Sequence, residues 1–158
     1  MTYSAKAIAN YFIGKSITDP KTPLTPLKLI KLAYVAHGWY LALKDAPLIN
    51  EHIEAWRYGP VVPSLYQEFK RYGNNSINQL AEAEEIPHED RYTLDFLNEI
   101  WRHYGDWTGL QLSTWTHEEG SPWYIAWEME GGKKADNYVI KNDSIRDYFK
   151  LGQEMLDS

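Results

Sequence analysis

Along most of the chain the apolar residues recur at three- and four-residue intervals, the spacing of one face of a helix. Residues 4–16 read as a first helix, with Ser4 placed as its N-cap, Ile8, Ala9 and Phe12 sharing a face, and Gly14 weakening its end. A Pro-rich link runs from Asp19 to Pro26. Thr25-Pro26 then supplies a cap followed by a proline at the first helical position. From 26 to 44 two apolar stripes run side by side. Leu27, Ile30, Tyr34, His37 and Leu41 form one, and Leu29, Leu32, Ala33, Ala36, Tyr40 and Leu43 the other. A helix apolar around most of its circumference belongs at the centre of a domain. Gly38 within it predicts the close approach of another element, with a Trp as the expected neighbour.

After Ala46-Pro47 the period shortens. Ile53 and Ala55 alternate with His52, Glu54 and Trp56, which predicts a small β-hairpin near 47–57 turning at Asn50-Glu51. Tyr58-Gly59-Pro60-Val61-Val62-Pro63 forces a turn, and Pro63 opens a helix over 63–72 with Leu65, Tyr66 and Phe69 inward and Gly73 as its C-cap. Residues 73–90 are polar, with an acidic run from Glu82 to Glu85 and one helical turn expected at Ile77–Ala81. Residues 90–104 place Leu94, Leu97, Ile100, Trp101 and Tyr104 on one face, and Gly105 ends that helix. Thr108 caps a helix over 108–118, apolar at Leu110, Leu112 and Trp115. Ser121-Pro122 repeats the cap-plus-proline start for a short helix, 122–128, that holds Trp123, Ile125, Ala126 and Trp127. Met129 to Asn137, with Gly131-Gly132-Lys133-Lys134, reads as a disordered loop. Val139-Ile140 is a short docking segment. Asn142 or Asp143 caps a final helix, 144–156, with Ile145, Tyr148, Phe149 and Met155 inward. The fold expected is mainly α: a compact single-domain bundle, 1–158, around the buried central helix 26–44.

Composition narrows the function. The 158 residues include 7 Trp, 12 Tyr and only 4 Phe. Trp and Tyr suit cores and also the centres of protein interfaces, because each joins a large apolar body to one polar atom. Net charge is −6, from 22 acidic and 16 basic residues. Phosphate neutralisation drives nucleic-acid binding, so this balance argues against direct contact with nucleic acid. The best basic cluster, Lys28, Lys31 and Lys44, is small. An acidic surface either fits a basic protein partner or serves solubility alone. With no Cys there is no disulfide, thiolate metal site or cysteine nucleophile. No basic-apolar leader and no membrane-length apolar run is present, so the expected location is cytoplasmic.

Searches for chemistry find little. The five His (37, 52, 88, 103 and 117) include no pair within one helical turn, so the two-His zinc pattern is missing. His117-Glu118-Glu119 reads better as a polar helix end than as a ligand set, and His37 better as a hydrogen-bonded core residue than as a base. Gly131–Lys134 lacks the strand and the hydroxyl residue of a phosphate loop. No nucleophile elbow is present. No catalytic, cofactor-binding or metal-binding residue is assigned, and a small hydrolase or metalloenzyme is the minor alternative. The unusual segment is Glu54–Pro63 (EAWRYGPVVP), where Trp, Arg and Tyr precede the turn. It is either a rigid corner bracing the hairpin or an interface hot spot.

Leu27–Tyr40 (LKLIKLAYVAHGWY), Glu54–Tyr66 (EAWRYGPVVPSLY), Leu112–Trp123 (LSTWTHEEGSPW) and the terminal Tyr148-Phe149 together resemble the Panacea antitoxin domain, also described as SocA-like or GepA-like and phage-associated. The resemblance runs from about residue 5 to 150. It implies a non-enzymatic antitoxin that neutralises a cognate toxin protein by direct binding. It leaves open an adaptor that delivers the toxin to a protease such as ClpXP. Under that resemblance Trp56, Arg57, Tyr58, Gly59, Pro60, His117, Pro122 and Trp123 are read as scaffold, since related domains bind different toxins. Partner choice is then expected on more variable surface: Glu82, Glu84 and Glu85 in the 74–90 loop, and Lys133 and Lys134 in the 129–138 loop. Trp39, Trp101, Trp115 and Trp127 are assigned to the core.

Overall fold

A computed structural model describes residues 1–157, with side chains described as far as Gln153. The Met155 side chain, expected inward, lies outside the described residues. Seven helices and three short strands follow in the order α1 (Ala5–Thr18), α2 (Pro26–Lys44), β1 (Ile53–Trp56), β2 (Gly59–Val61), α3 (Pro63–Phe69), α4 (Arg91–Tyr104), α5 (Gly109–Thr116), α6 (Pro122–Tyr124), β3 (Val139–Ile140) and α7 (Asn142–Asp157). Four of the cap signals hold, while the one expected at Asn142 or Asp143 does not, because α7 already begins at Asn142 with Ile145 N donating to Lys141 O. The hydroxyls of Ser4, Thr25, Thr108 and Ser121 each accept from a backbone N–H of the first turn that follows, and Thr108 forms a reciprocal capping box with Gln111. Gly14 does not end α1, which runs on to Thr18.

Helix α2 is the axis of the molecule. It packs against α1, α3, α4, α5 and α7 and against β2. Every residue of it is buried except Leu27, Trp39, Leu43 and Lys44. Leu27 and Leu43, expected inward, are therefore partly at the surface, one in the first turn of the helix and the other in the last. The close approach at Gly38 is made by Phe149 of α7 and not by a Trp: an added Cβ would lie 2.2 Å from the Phe149 ring. His37 is the hydrogen-bonded core residue expected. Its Nδ1 accepts from Ile49 N at 3.2 Å, and its Nε2 pairs with Asn142 Oδ1 at 3.0 Å. Burial lowers its pKa.

Several local expectations are corrected by tertiary contacts. The hairpin turns at Arg57-Tyr58, not at Asn50-Glu51, and its strands pair Glu54 with Val61, Ala55 with Pro60 and Trp56 with Gly59. The Asn50-Glu51 stretch serves α1 instead. Asn50 N donates to Tyr3 O at 2.9 Å, and the Glu51 carboxylate accepts from Ala5 N at 2.7 Å. β3 pairs with the other edge of β1, giving the antiparallel order β2-β1-β3. Ile77–Ala81 forms no helical turn, because its backbone bonds are taken elsewhere: Ile77 N donates to Leu24 O at 2.9 Å, and Ala81 makes a two-way pair with the Asn10 amide. The 63–72 helix tightens into a 3-10 turn at Lys70–Tyr72, and Tyr66 is exposed. In α5 the buried face is Leu112, Ser113 and Thr116, so Leu110 points to solvent. The 122–128 helix is one turn, α6, that widens into a π-helical turn at Ile125–Met129.

The 129–137 stretch is folded, contrary to the disorder expected. Gly131 adopts a left-handed conformation (φ +82°), a 3-10 turn spans Gly132–Lys134, and Gly132 is buried so tightly that a Cβ would meet the Ala126 carbonyl at 2.7 Å. Of the four Trp assigned to the core, only Trp101 is fully buried; Trp39, Trp115 and Trp127 are half-buried and pack on its edge. No described helix is long and apolar enough to cross a membrane.

A candidate partner-binding corner

The segments carrying the unusual residues meet at one corner. Trp123 Nε1 donates to the Trp56 carbonyl at 2.6 Å, and the His117 ring stands edge-on to Trp123 with centroids 5.4 Å apart. Ser113 Oγ donates to Tyr58 O at 3.2 Å, while Lys31 Nζ donates to Pro60 O at 2.7 Å. The turn that exposes Arg57 and Tyr58 is therefore held from below by α2, α5 and α6. Gly59 makes this possible. Its φ of +121° suits glycine alone, and a Cβ there would sit 3.0 Å from the Lys31 ammonium. Pro122 is buried at the first position of α6, where its missing N–H costs nothing. Trp56, Tyr58 and Pro60 are thus tied down through their carbonyls and His117 packs on Trp123, while the side chains of Arg57 and Tyr58 both project to solvent, Arg57 over the Tyr58 ring at 5.6 Å.

The other candidates sit on separate elements. Glu82, Glu84 and Glu85 belong to the segment that crosses the start of α1. The Glu84 carboxylate accepts from Ser4 N at 2.9 Å and from Ser4 Oγ at 2.7 Å, and these bonds hold its pKa below the usual carboxylate range. Glu84 is thus already engaged at a helix N-terminus, where negative charge is favoured. Lys133 is paired with Glu128 at 2.8 Å, and Lys134 is exposed.

Two apolar grooves open on the surface. One, about 660 Å³, lies between the end of α2 and α4, with Trp39, Phe96, Ile100, Tyr104 and Trp107 among its walls. Its rim charges are matched: Asp95 pairs with Arg91 at 3.0 Å, and Glu99 with Arg102 at 2.6 Å. The other, about 410 Å³, lies beneath the Arg57-Tyr58 turn, between the start of α2 and α3. Reasoning from sequence missed both, because each is assembled from residues of elements far apart in the chain. The small basic cluster read from sequence does not exist as a surface. Lys28 and Lys31 are buried, and Lys44 lies over the Tyr92 ring at 4.2 Å. Among the described residues no group of His, Asp and Glu could hold a metal ion.

The family model described as Antitoxin SocA-like, Panacea domain, matches residues 29–124, a span that takes in α2 from Leu29 onward, the corner and α6. The chain belongs to the Panacea antitoxin family. Over 156 residues it is 30 % identical to Antitoxin SocA of Caulobacter vibrioides (strain NA1000 / CB15N), an alignment covering 93 % of this chain and 82 % of the relative. No solved structure matches the chain. The matched span of the Panacea domain includes the corner and the Glu82–Glu85 segment alike, and the Lys133–Lys134 turn falls beyond it.

Proposed function

We propose that this Panacea domain is the antitoxin of a toxin–antitoxin pair and neutralises its cognate toxin by direct protein–protein binding, without catalysis. The observation that carries this reading is the similarity to Antitoxin SocA along 93 % of the chain. The geometry supports it. The candidate general base His37 is held between Ile49 and Asn142 in the core, and the surface offers two aromatic-walled grooves of the kind that centre protein interfaces. The domain acts as one unit in the cytoplasm, with the Trp56–Trp123 corner as scaffold. Of the acidic segment, Glu82 and Glu85 are the residues free to meet a partner, since Glu84 is spent on Ser4.

The test is co-expression with the product of the adjacent gene. That product alone should arrest growth, and this chain should restore it while the two copurify in equal amounts. A neighbour that is harmless alone, or that stays toxic beside this chain, refutes the antitoxin reading. Rescue accompanied by loss of the toxin, and abolished when an AAA+ protease such as ClpXP is deleted, would replace binding with delivery to proteolysis.

A further inference from the structure

We propose that the groove beneath the Arg57-Tyr58 turn seats an acidic, apolar segment of the partner polypeptide. The proposal rests on the antitoxin reading for who the partner is, and on the groove itself for what the segment must be. The floor is apolar, made by Leu27, Ile30 and Val61, and Trp56 and Tyr66 stand edge to face beside it at 5.1 Å. Leu27, Tyr58 and Tyr66 are all exposed, Tyr58 to 68 %, so apolar surface lies open to solvent here. The charge of the groove opposes that of the whole chain. Arg57 and Lys70 line it, no Asp or Glu does, and neither cation makes an ion pair among the described residues. Both lie only over neighbouring rings, Arg57 over Tyr58 at 5.6 Å and Lys70 over Tyr66 at 5.9 Å.

The deeper wall adds a second, independent feature. Lys31 lines the groove and is buried, yet its ammonium has one acceptor among the described residues, the Pro60 carbonyl. An ammonium carries three donors. Burial pushes the Lys31 pKa down to about 7, and an incoming carboxylate would hold the lysine protonated. A segment pairing Leu, Phe or Trp with Asp or Glu answers the apolar floor and the two exposed cations: the apolar side chain covers the floor and the carboxylate meets Arg57 and Lys70, with the Lys31 ammonium behind them adding to the positive potential of the wall. Two exposed cations on a chain of net charge −6 are too few for a nucleic-acid site, whose affinity grows with the number of phosphates neutralised.

The experiment is selection of random dodecapeptides displayed on phage against the full chain, followed by anisotropy titration of the leading peptides with wild type and with an Arg57→Glu, Lys70→Glu double variant. The expected consensus joins an acidic residue to a large apolar one, and the double variant weakens its binding about tenfold or more. A basic consensus, no consensus, or binding to the double variant within about twofold overturns the proposal. So does tighter binding of a labelled single-stranded oligonucleotide than of any peptide. If the double variant melts early, the single variants Arg57→Gln and Lys70→Gln decide, each expected to lose about threefold. In co-expression, a double variant that folds and rescues as well as wild type sinks the groove and leaves the antitoxin reading standing. Failure of wild type to rescue sinks the antitoxin reading, and the peptide titration still decides the groove.

Discussion

Two buried lysines one turn apart on α2 have opposite surroundings. Lys28 is saturated. Its ammonium donates to Thr22 O at 3.0 Å, Thr22 Oγ1 at 2.6 Å and Gly105 O at 2.5 Å, and it lies over the Trp101 ring at 5.3 Å. It ties the Pro-rich link to the end of α4. Among the described residues Lys31 has the Pro60 carbonyl alone. A buried charge is tolerated when its donors are all matched, and is costly when they are not. Lys28 is therefore a structural clasp, and Lys31 is a cation left short of partners at the wall of a groove. The same residue type on the same helix does two different jobs because of what the distant chain brings to it.

The largest test of this contrast is Lys28→Met. It removes the ammonium from one buried acceptor, Gly105 O, and two half-buried ones on Thr22, and should lower stability by about 2–3 kcal/mol in urea unfolding. A loss under about 1 kcal/mol would remove the distinction between the two lysines. Gly59→Val comes next. The positive φ and the contact with the Lys31 ammonium should together cost about 2–3 kcal/mol by the same measurement, with the hairpin turn displaced. Lys31→Met should cost about 1 kcal/mol or less at pH 7, since it leaves one carbonyl unpaired but removes a poorly matched buried charge.

The pH dependence sharpens the contrast further. The folded Lys31 pKa of about 7 lies below the unfolded lysine value of about 10.4. Below pH 7 the cost of burying the charge is present in full. As pH rises from 7 toward 10, the unfolded chain holds a proton that the folded chain has released, so stability rises, by at most about 1.4 kcal/mol per pH unit. Burial also lowers the Lys28 pKa, with Asp106 opposing it, so Lys28 contributes to the same rise. Lys31→Met should flatten the rise between pH 7 and 9.5, and an unchanged gradient would assign it elsewhere. The smallest effect expected is that of Arg57→Glu with Lys70→Glu. Both side chains are exposed and make no ion pair among the described residues, so stability should change by less than about 0.5 kcal/mol while partner binding falls.

Much of the helical framework is readable from spacing and caps. Thr25-Pro26, Thr108 with Gln111, and Ser121-Pro122 start helices by interactions complete within four residues, so the chain needs nothing distant to express them. The errors cluster where a distant group claims the backbone. Asn10 takes the amide and carbonyl of Ala81 and prevents the helical turn expected there. Trp56 and Trp123, far apart in the chain, become one unit through a single indole N–H. The Gly131–Lys134 stretch, polar enough to read as disordered, is ordered by Tyr138, whose carbonyl pairs with Ala55 N of β1 and whose hydroxyl donates to Glu130.

The amino-acid sequence by itself determines that α2 is the buried axis, because its apolar residues circle the helix and only a surrounding bundle can cover them all. It also carries, in its three signature blocks, membership of the Panacea family. Only the tertiary structure decides what Lys28, Lys31 and Glu84 do. Charge type is local, but the cost of burying a charge is set by acceptors that arrive from Thr22, Gly105, Pro60 and Ser4. The sign of a surface patch follows from that placement. A chain acidic in total folds so that two of its cations sink into the core and two others, Arg57 and Lys70, stand unopposed over an apolar groove.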